Sequence, residues 1–349
     1  MIVGAIAIAS LLAVLGAWLM FRSRRANTSA SSLPPRPKKS QHTPSGAPPD
    51  AARAGLANNL ATERLWKLAF AAPSEPQAAE PAQAKVGDAV CAILQKDSLD
   101  PKYFPRRPTL MPQLLRAVED PGAATEKLSR MIAHDPVLTS DVLRLANSAM
   151  YRTSAAPIET IQRAIVVLGA EALRGLVATA MLQPVFRATR SNFPRFPRML
   201  WDRTERAVRA AEMYTLKTQP QDRFEAQLVI LMSALGPLVV YGATLDVYSS
   251  RPNITPSPAL CVALTAALGP QVSTRIARHW ETSPRLIAAI ERSPGETLTM
   301  ALCVGELLAT LSLLETQHVI APDEALATAN DVGLEPAIIA PIWERLTSP

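Results

Sequence analysis

The chain has 349 residues, of which 48% are hydrophobic and only 5% aromatic. This composition predicts a sizeable helical core and argues against a β-sandwich or barrel. Six of the 36 basic residues lie in residues 1–49, which contain no acidic residue, so the rest of the chain carries 30 basic and 30 acidic residues. The net charge of +6 therefore comes from the leading segment, which argues against a nucleic-acid-binding face on the folded part.

The leading segment begins with a long apolar run from Ile2 to Phe21, without charge or proline. As a helix it would span roughly 30 Å, the thickness of a bilayer core. Arg22, Arg24 and Arg25 follow it. Positive charge after a long run favours an uncleaved transmembrane helix over a signal peptide, and it predicts a single-pass membrane protein with its body in the cytoplasm.

Alanine recurs every fourth residue along this run, at Ala5, Ala9, Ala13 and Ala17. A stripe of small residues lets two membrane helices approach closely, so a homodimer is one interpretation. The abundance of alanine in this chain is the other.

Residues 22–50 are rich in proline, serine and basic residues and predict a disordered linker. Residues 51–100 predict two helices around a proline-rich spacer. The first runs from Ala51 to Ala72, with Leu56, Leu60, Leu65, Leu68 and Ala69 on one side. The second runs from Ala82 to Leu99.

From residue 101 onward the apolar residues recur with a period near 3.6, and no segment alternates with period two. The fold class predicted is all-α, with short helices in a globular domain. Pro136 suits the first turn of a helix, and Asp135 before it is a preferred N-cap. Asp141 and Arg144, one turn apart, can form an ion pair.

Chemistry-bearing residues are sparse and scattered. The four histidines, His42, His134, His279 and His318, do not lie within a helical turn of one another. The three cysteines, Cys91, Cys261 and Cys303, form no CxxC pair and predict buried thiols in a reducing compartment. No phosphate loop, dinucleotide fingerprint or nucleophile elbow is present. The sequence therefore predicts no cofactor and no metal site.

One stretch of about 80 residues, Tyr103 to Leu182, resembles the first half of an HDOD domain. The resemblance is carried by a proline-rich start, by Asp135-Pro136, by the phrase from Val142 to Tyr151 and by the phrase from Ile158 to Gly169. It implies an HD-like helical domain over residues 101–315, with halves at 101–195 and 196–315. Residues 316–349 would add C-terminal helices, and Glu296 to Glu315 would be the closing helix of the domain.

In the second half, the resemblance aligns other residues with the metal ligands of HD phosphohydrolases. Arg203 stands where a histidine would stand in the family. Ser233 and Ala234 replace a His-Asp pair, and Arg292 and Ser293 replace two histidines. The alignment therefore implies that the chain has no catalytic residues and is not an enzyme.

The first hypothesis is accordingly a non-catalytic signalling or protein-interaction module tethered to the bacterial inner membrane, because HDOD proteins are generally placed in bacterial signal transduction. Its partner would be another signalling protein. One alternative is a metal-dependent phosphohydrolase of the HD superfamily. Another is a cyclic-dinucleotide receptor, with Arg144, Asn147 and Arg152 as candidate ligand-binding residues near one turn.

Overall fold

The computed structural model describes residues 51–72, 81–96, 100–116, 129–152, 156–186, 192–294 and 296–347. The chain divides into two units, Met1–Ser45 and Gly46–Pro349, and every described residue belongs to the second. The predicted membrane helix over residues 2–21 and the linker therefore lie outside the described residues. Every regular element in the described part is helical, which confirms the all-α prediction.

The described part contains thirteen α-helices with defined bounds. They are α1 (Ala51–Phe70), α2 (Pro81–Leu94), α3 (Met111–Arg116), α4 (Pro136–Ala146), α5 (Ile161–Leu168), α6 (Ala170–Leu182), α7 (Arg195–Thr218), α8 (Arg223–Ser249), α9 (Pro258–His279), α10 (Pro284–Ile290), α11 (Thr297–Thr316), α12 (Pro322–Asp331) and α13 (Pro336–Thr347). Short 3-10 helices cover Gln183–Phe186 and Pro220–Asp222. The expectation of short helices holds only for the first half, because α7, α8, α9 and α11 have 20 to 27 residues.

Two helices, α8 and α11, form the centre of the unit. Helix α8 packs against α9, α7, α2 and α6, while α11 packs against α7 and α1. Both helices are apolar around most of their circumference, as expected for helices surrounded by others. The predicted closing helix is thus α11, which begins at its N-cap Glu296 and forms a wall of the core.

The crossing of α8 and α9 is unusually close and fixes the position of Ser233. Pro237 lies inside α8 and lacks the N–H that would bond the Ser233 carbonyl, and the Ser273 hydroxyl on α9 donates to that carbonyl at 2.7 Å. The same hydroxyl accepts from the Gly236 amide at 3.0 Å. Two polar groups in the helix interior are therefore satisfied by one side chain of the neighbouring helix.

Three segments are long and apolar enough to cross a membrane by length and composition: Pro220–Ser249, Pro258–His279 and Thr297–Thr316. In their most apolar windows 72%, 56% and 89% of the residues are buried inside this unit. Their apolar surface therefore packs against other helices of the described part.

The described residues of the segment that carries the family resemblance include the predicted helix cap. The Asp135 carboxylate caps α4 by accepting from the amides of Val137 and Leu138, each at 3.0 Å. Asn147 ends α4, and its side chain exchanges two hydrogen bonds of 2.8 Å with the backbone of Ile158. Gly169, with a φ of 86°, forms the corner between α5 and α6.

Helix α1 begins at the predicted residue and ends at Phe70, but its first half does not bury the leucines expected on its apolar side. Leu56 and Leu60 are 63% and 61% exposed, whereas Asn58 is buried. The prediction that Leu56 and Leu60 share one side of the helix with Leu65 and Ala69 is therefore wrong, because Leu65 and Ala69 are buried. The neighbouring helix α11 explains this difference. Its close approach favours small residues on α1, and its buried carboxylate, Glu306, needs a hydrogen-bond donor, which Asn58 supplies.

Candidate functional site

Three of the five residues aligned with HD metal ligands meet at one buried carboxylate. Arg203 extends from α7, Ser233 from α8, and Arg292 from the turn after α10. All three lie within reach of Glu306 on α11, a residue that is only 6% exposed. The sequence separations are large, so the helix packing alone brings these groups together. We call these residues, with Asn58 and Thr62, the charge cluster.

Glu306 is the centre of the charge cluster. Its Oε2 accepts from Arg292 Nη2 at 2.6 Å and from the Asn58 amide at 2.8 Å. Its Oε1 accepts from the Ser233 hydroxyl at 3.0 Å and lies 3.6 Å from Arg203 Nη1. Each oxygen thus has two partners, as a buried carboxylate requires.

Arg203 is held by a second set of contacts, mainly from α1. Its Nε donates to the Thr310 hydroxyl at 2.8 Å, and its Nη2 lies 3.4 Å from both Asn58 Oδ1 and Thr62 Oγ1. The guanidinium also lies 5.7 Å from the centre of the Trp66 ring, within cation–π range. Asn58 therefore links the two halves of the charge cluster, because its amide nitrogen binds Glu306 and its oxygen faces Arg203.

Arg292 has a left-handed backbone, with a φ of 56°. It occupies the position after the C-cap of α10 that glycine usually fills, and the amides of Arg292 and Ser293 bond the carbonyls of Ala289 and Ala288 in a Schellman motif. A side chain there costs some conformational strain. In return its guanidinium reaches Glu306 and, at 2.8 Å, the Cys303 sulfur.

The pKa values follow from burial and from these contacts. Burial alone would raise the pKa of Glu306, but the charges of Arg203 and Arg292 and the hydrogen bonds from Arg292 and Ser233 hold it below its usual value. Burial raises the pKa of the Cys303 thiol, and Arg292 offsets only part of that. The charge cluster therefore contains two cations and one carboxylate, and the adjacent Cys303 thiol is neutral.

This donor set does not fit a metal ion. A guanidinium has no lone pair to offer and carries a positive charge that opposes a divalent cation. The oxygen donors of the charge cluster are the Glu306 carboxylate, the Ser233 and Thr62 hydroxyls and the Asn58 amide. Glu306 is already bonded to its neighbours, and the Asn58 and Thr62 oxygens face Arg203. Within the described ranges, no group of three or more His, Cys, Asp or Glu residues is placed to hold a metal.

Ala234 and Ser293 do not contribute side-chain hydrogen bonds to the charge cluster in the described part. Ala234 is buried on α8, and Ser293 accepts through its backbone carbonyl from Thr299 at 3.2 Å. His134, His279 and His318 are exposed and belong to three separate segments.

The three candidate ligand-binding residues face different partners. Arg144 pairs with Asp141 at 3.2 Å, as predicted, and also bonds Gln183. The Asn147 side chain holds the backbone of Ile158 and of Leu143. The Arg152 carbonyl accepts from Arg345 on α13 at 2.8 Å. The Asn147 side chain thus holds the turn that follows α4.

Sequence reasoning missed Glu306, Asn58 and Thr62, which complete the charge cluster. Glu306 could have been noticed, because it is the one charged residue between Thr297 and Leu314 in an otherwise apolar run. A lone carboxylate in such a helix indicates a buried partner of opposite charge. The contribution of α1 had no comparable signal, since its leucines indicated the wrong face.

The helical arrangement can be compared with solved structures. A candidate metal-dependent phosphohydrolase from Shewanella amazonensis SB2B has a TM-score of 0.55 at 16% identity, covering 77% of this chain and 99% of that chain. An HDOD domain protein of unknown function from Geobacter sulfurreducens has a TM-score of 0.51 at 17% identity, with 76% and 88% covered. A second candidate phosphohydrolase from Shewanella amazonensis SB2B has a TM-score of 0.51 at 21% identity, with 74% and 93% covered.

These similarities define the class, an all-helical protein with an HD-like fold. No curated protein matches the chain. The HDOD domain family matches residues 104–294, which is more than half of the chain. The chain belongs to the HDOD family.

Proposed function

We propose that this HDOD protein is a non-catalytic interaction module in bacterial signal transduction, tethered to the inner membrane through residues 2–21. The observation that carries the proposal is the charge cluster. Arg203, Ser233 and Arg292, which align with metal ligands of HD hydrolases, are bonded instead to the carboxylate of Glu306.

The physical argument is that hydrolysis by an HD enzyme needs a metal ion with a bound water and several lone-pair donors around it. Two guanidiniums supply positive charge to Glu306 without any ability to lower the pKa of a water by coordination. Helix α1 also lies over the cluster and inserts Asn58, which leaves the carboxylate only 6% exposed. The scaffold is thus retained while its centre is used for internal packing.

The enzyme alternative is kept open by the names of two structural neighbours, which are candidate phosphohydrolases. A turnover assay separates the two functions. The intact protein is incubated with Mn²⁺, Fe²⁺ or Zn²⁺ and a panel of phosphomonoesters and phosphodiesters. We expect no product above the buffer control. Metal-dependent turnover that Glu306→Gln abolishes would overturn the proposal.

The membrane tether is supported by the charge pattern of the leading segment and needs its own test. A reporter that is active only in the periplasm is fused after Pro349, and a reporter active only in the cytoplasm is fused in a parallel strain. We expect only the cytoplasmic reporter to be active, with the fusion in the membrane fraction. Periplasmic activity would contradict the proposed orientation, and a fusion found in the soluble fraction would contradict the membrane tether.

A further inference from the structure

Helix α1 is held by very different contacts along its length. Its second half inserts Leu65, Trp66 and Phe70 into the core. The Phe70 ring stacks on Phe196 at 4.4 Å, and Trp66 meets the same ring edge-on at 5.1 Å. This half buries much apolar area and is firmly fixed.

The first half presents small residues to the body instead. Its buried positions are Ala54, Gly55, Asn58 and Ala61. The burial of such residues contributes far less than the burial of large side chains. The polar contact that this half makes with Glu306 is the hydrogen bond donated by the side-chain amide of Asn58. Local opening is favoured where few apolar contacts hold a segment.

The charged members of the charge cluster, Arg203, Arg292 and Glu306, lie beneath the first half of α1. The Ala51 carbonyl is 3.9 Å from the Cys303 sulfur, and a Cβ at Gly55 would be 3.8 Å from Arg292 Nη1. Asn58 and Thr62 then reach Glu306 and Arg203. Departure of this half would admit water to one carboxylate and two guanidiniums, which are more favourable when hydrated than when buried. The cost of opening is therefore partly offset by hydration of these charges.

We propose that the first half of α1, residues 51–62, is a releasable strap over the charge cluster, hinged on the fixed second half. The strap lies outside the segment matched by the HDOD family and directly follows the linker from the predicted membrane helix. Access to the charge cluster is thus controlled from the N-terminal side of the chain. The inference does not depend on the absence of catalysis.

The chain contains its own reporter of this motion. Cys303 is buried next to the first turn of α1, whereas Cys261 is buried on α9 near Tyr248, whose hydroxyl bonds Gln83 on α2. The full-length protein is treated with an uncharged alkylating reagent under native conditions, and labelling of each cysteine is quantified by peptide mass spectrometry. Rates are divided by those of the denatured chain. We expect Cys303 to be labelled at least about tenfold faster than Cys261, because strap opening exposes only the former.

Two neighbouring asparagines provide a matched pair of variants. Asn58→Ala removes the hydrogen bond from the Asn58 amide to Glu306. It should accelerate the labelling of Cys303 by at least about tenfold and leave the labelling rate of Cys261 unchanged. Asn59→Ala makes the same replacement at an exposed position of the same helix and should not accelerate either cysteine. Equal labelling of Cys303 and Cys261, or equal acceleration by both variants, would overturn the strap.

A variant that should slow the labelling of Cys303 keeps the proposal testable if the Asn58→Ala protein misfolds. Gly55→Ala adds a methyl group that has ordinary contact distances to its surroundings and raises helix propensity. It should slow the labelling of Cys303 about fivefold and leave Cys261 unchanged. A parallel change at both cysteines would mean that only global unfolding exposes them, and the proposal would fail.

Discussion

At the scale of single residues, Glu306 is the group on which the account depends. Replacing a complete buried ion cluster by apolar residues can be nearly neutral, but removing one partner leaves the others uncompensated. Glu306 is the carboxylate that faces both Arg203 and Arg292 in the described part. Its loss would leave two buried guanidiniums without a counter-charge.

We therefore expect Glu306→Gln to lower the free energy of unfolding by about 3–5 kcal/mol. The matched control is Glu324→Gln, because Glu324 pairs with Arg64 in an ion pair in which both side chains are about half exposed. That change should cost less than about 1 kcal/mol. Urea unfolding of both variants measures the difference. Similar losses would show that the charge cluster is not a buried network.

The raised pKa of Glu205 on α7 leads us to expect that the stability of the fold depends on pH. Burial, and then the neighbouring Asp202 carboxylate, raise the pKa of Glu205 to about 7, while Arg144 opposes this. Since the folded pKa lies above the unfolded value, the proton stabilises the fold at low pH and this stability is lost as the pH rises towards 7. As the pH rises from 5 to 8, the free energy of unfolding of Glu205→Gln should therefore increase by about 1–2 kcal/mol relative to that of the wild type.

Thermal unfolding at the two pH values measures this gain. Glu159→Gln, at an exposed position, serves as the control and should show the same difference from the wild type at both pH values. A Glu205→Gln protein whose stability follows the wild type at both pH values would contradict the raised pKa.

At the scale of elements, the crossing of α8 and α9 offers a comparison of two glycines on one helix. A Cβ at Gly236 would lie 2.0 Å from the Gly269 carbonyl oxygen and 2.6 Å from the Ser273 nitrogen, both backbone atoms. A Cβ at Gly242 would meet no atom of the described residues within 4 Å. The first glycine is required by the close approach, and the second is not.

Gly236→Ala should lower the free energy of unfolding by about 3 kcal/mol, because the backbones must separate. Gly242→Ala should raise it by about 0.5–1 kcal/mol through helix propensity. Urea denaturation of the two variants checks both signs. A tolerated alanine at position 236 would show that α8 and α9 do not cross as closely as described.

Helix positions were predictable from the sequence where capping and periodicity agree. Asp135 before Pro136 placed the start of α4, and the apolar run after Glu296 placed α11. The orientation of α1 was not predictable in this way, because Leu56 and Leu60 are the larger apolar residues and yet face outwards. The decisive factor is the partner surface, where the buried carboxylate of Glu306 selects Asn58, and a partner surface is a tertiary property.

At the scale of the whole molecule, the family and the all-helical class followed from motifs that lie mostly in the first half. The family resemblance also drew attention to Arg203, Ser233 and Arg292, which the structure brings to Glu306. The contacts that these three side chains make were not predictable from the sequence, because they depend on α1 and α11, which lie outside the matched segment 104–294. The HD-like scaffold therefore encloses a charge cluster that is completed by helices at both of its ends.

The most direct test of this account is the metal content of the intact protein. The protein is purified, equilibrated with Mn²⁺, Fe²⁺ or Zn²⁺, separated from free ion and analysed by inductively coupled plasma mass spectrometry. We expect well under one equivalent of each metal, with no change on Arg292→Gln, because guanidiniums and an internally bonded carboxylate do not coordinate a cation. One or two tightly bound equivalents that are lost on Glu306→Gln would contradict it.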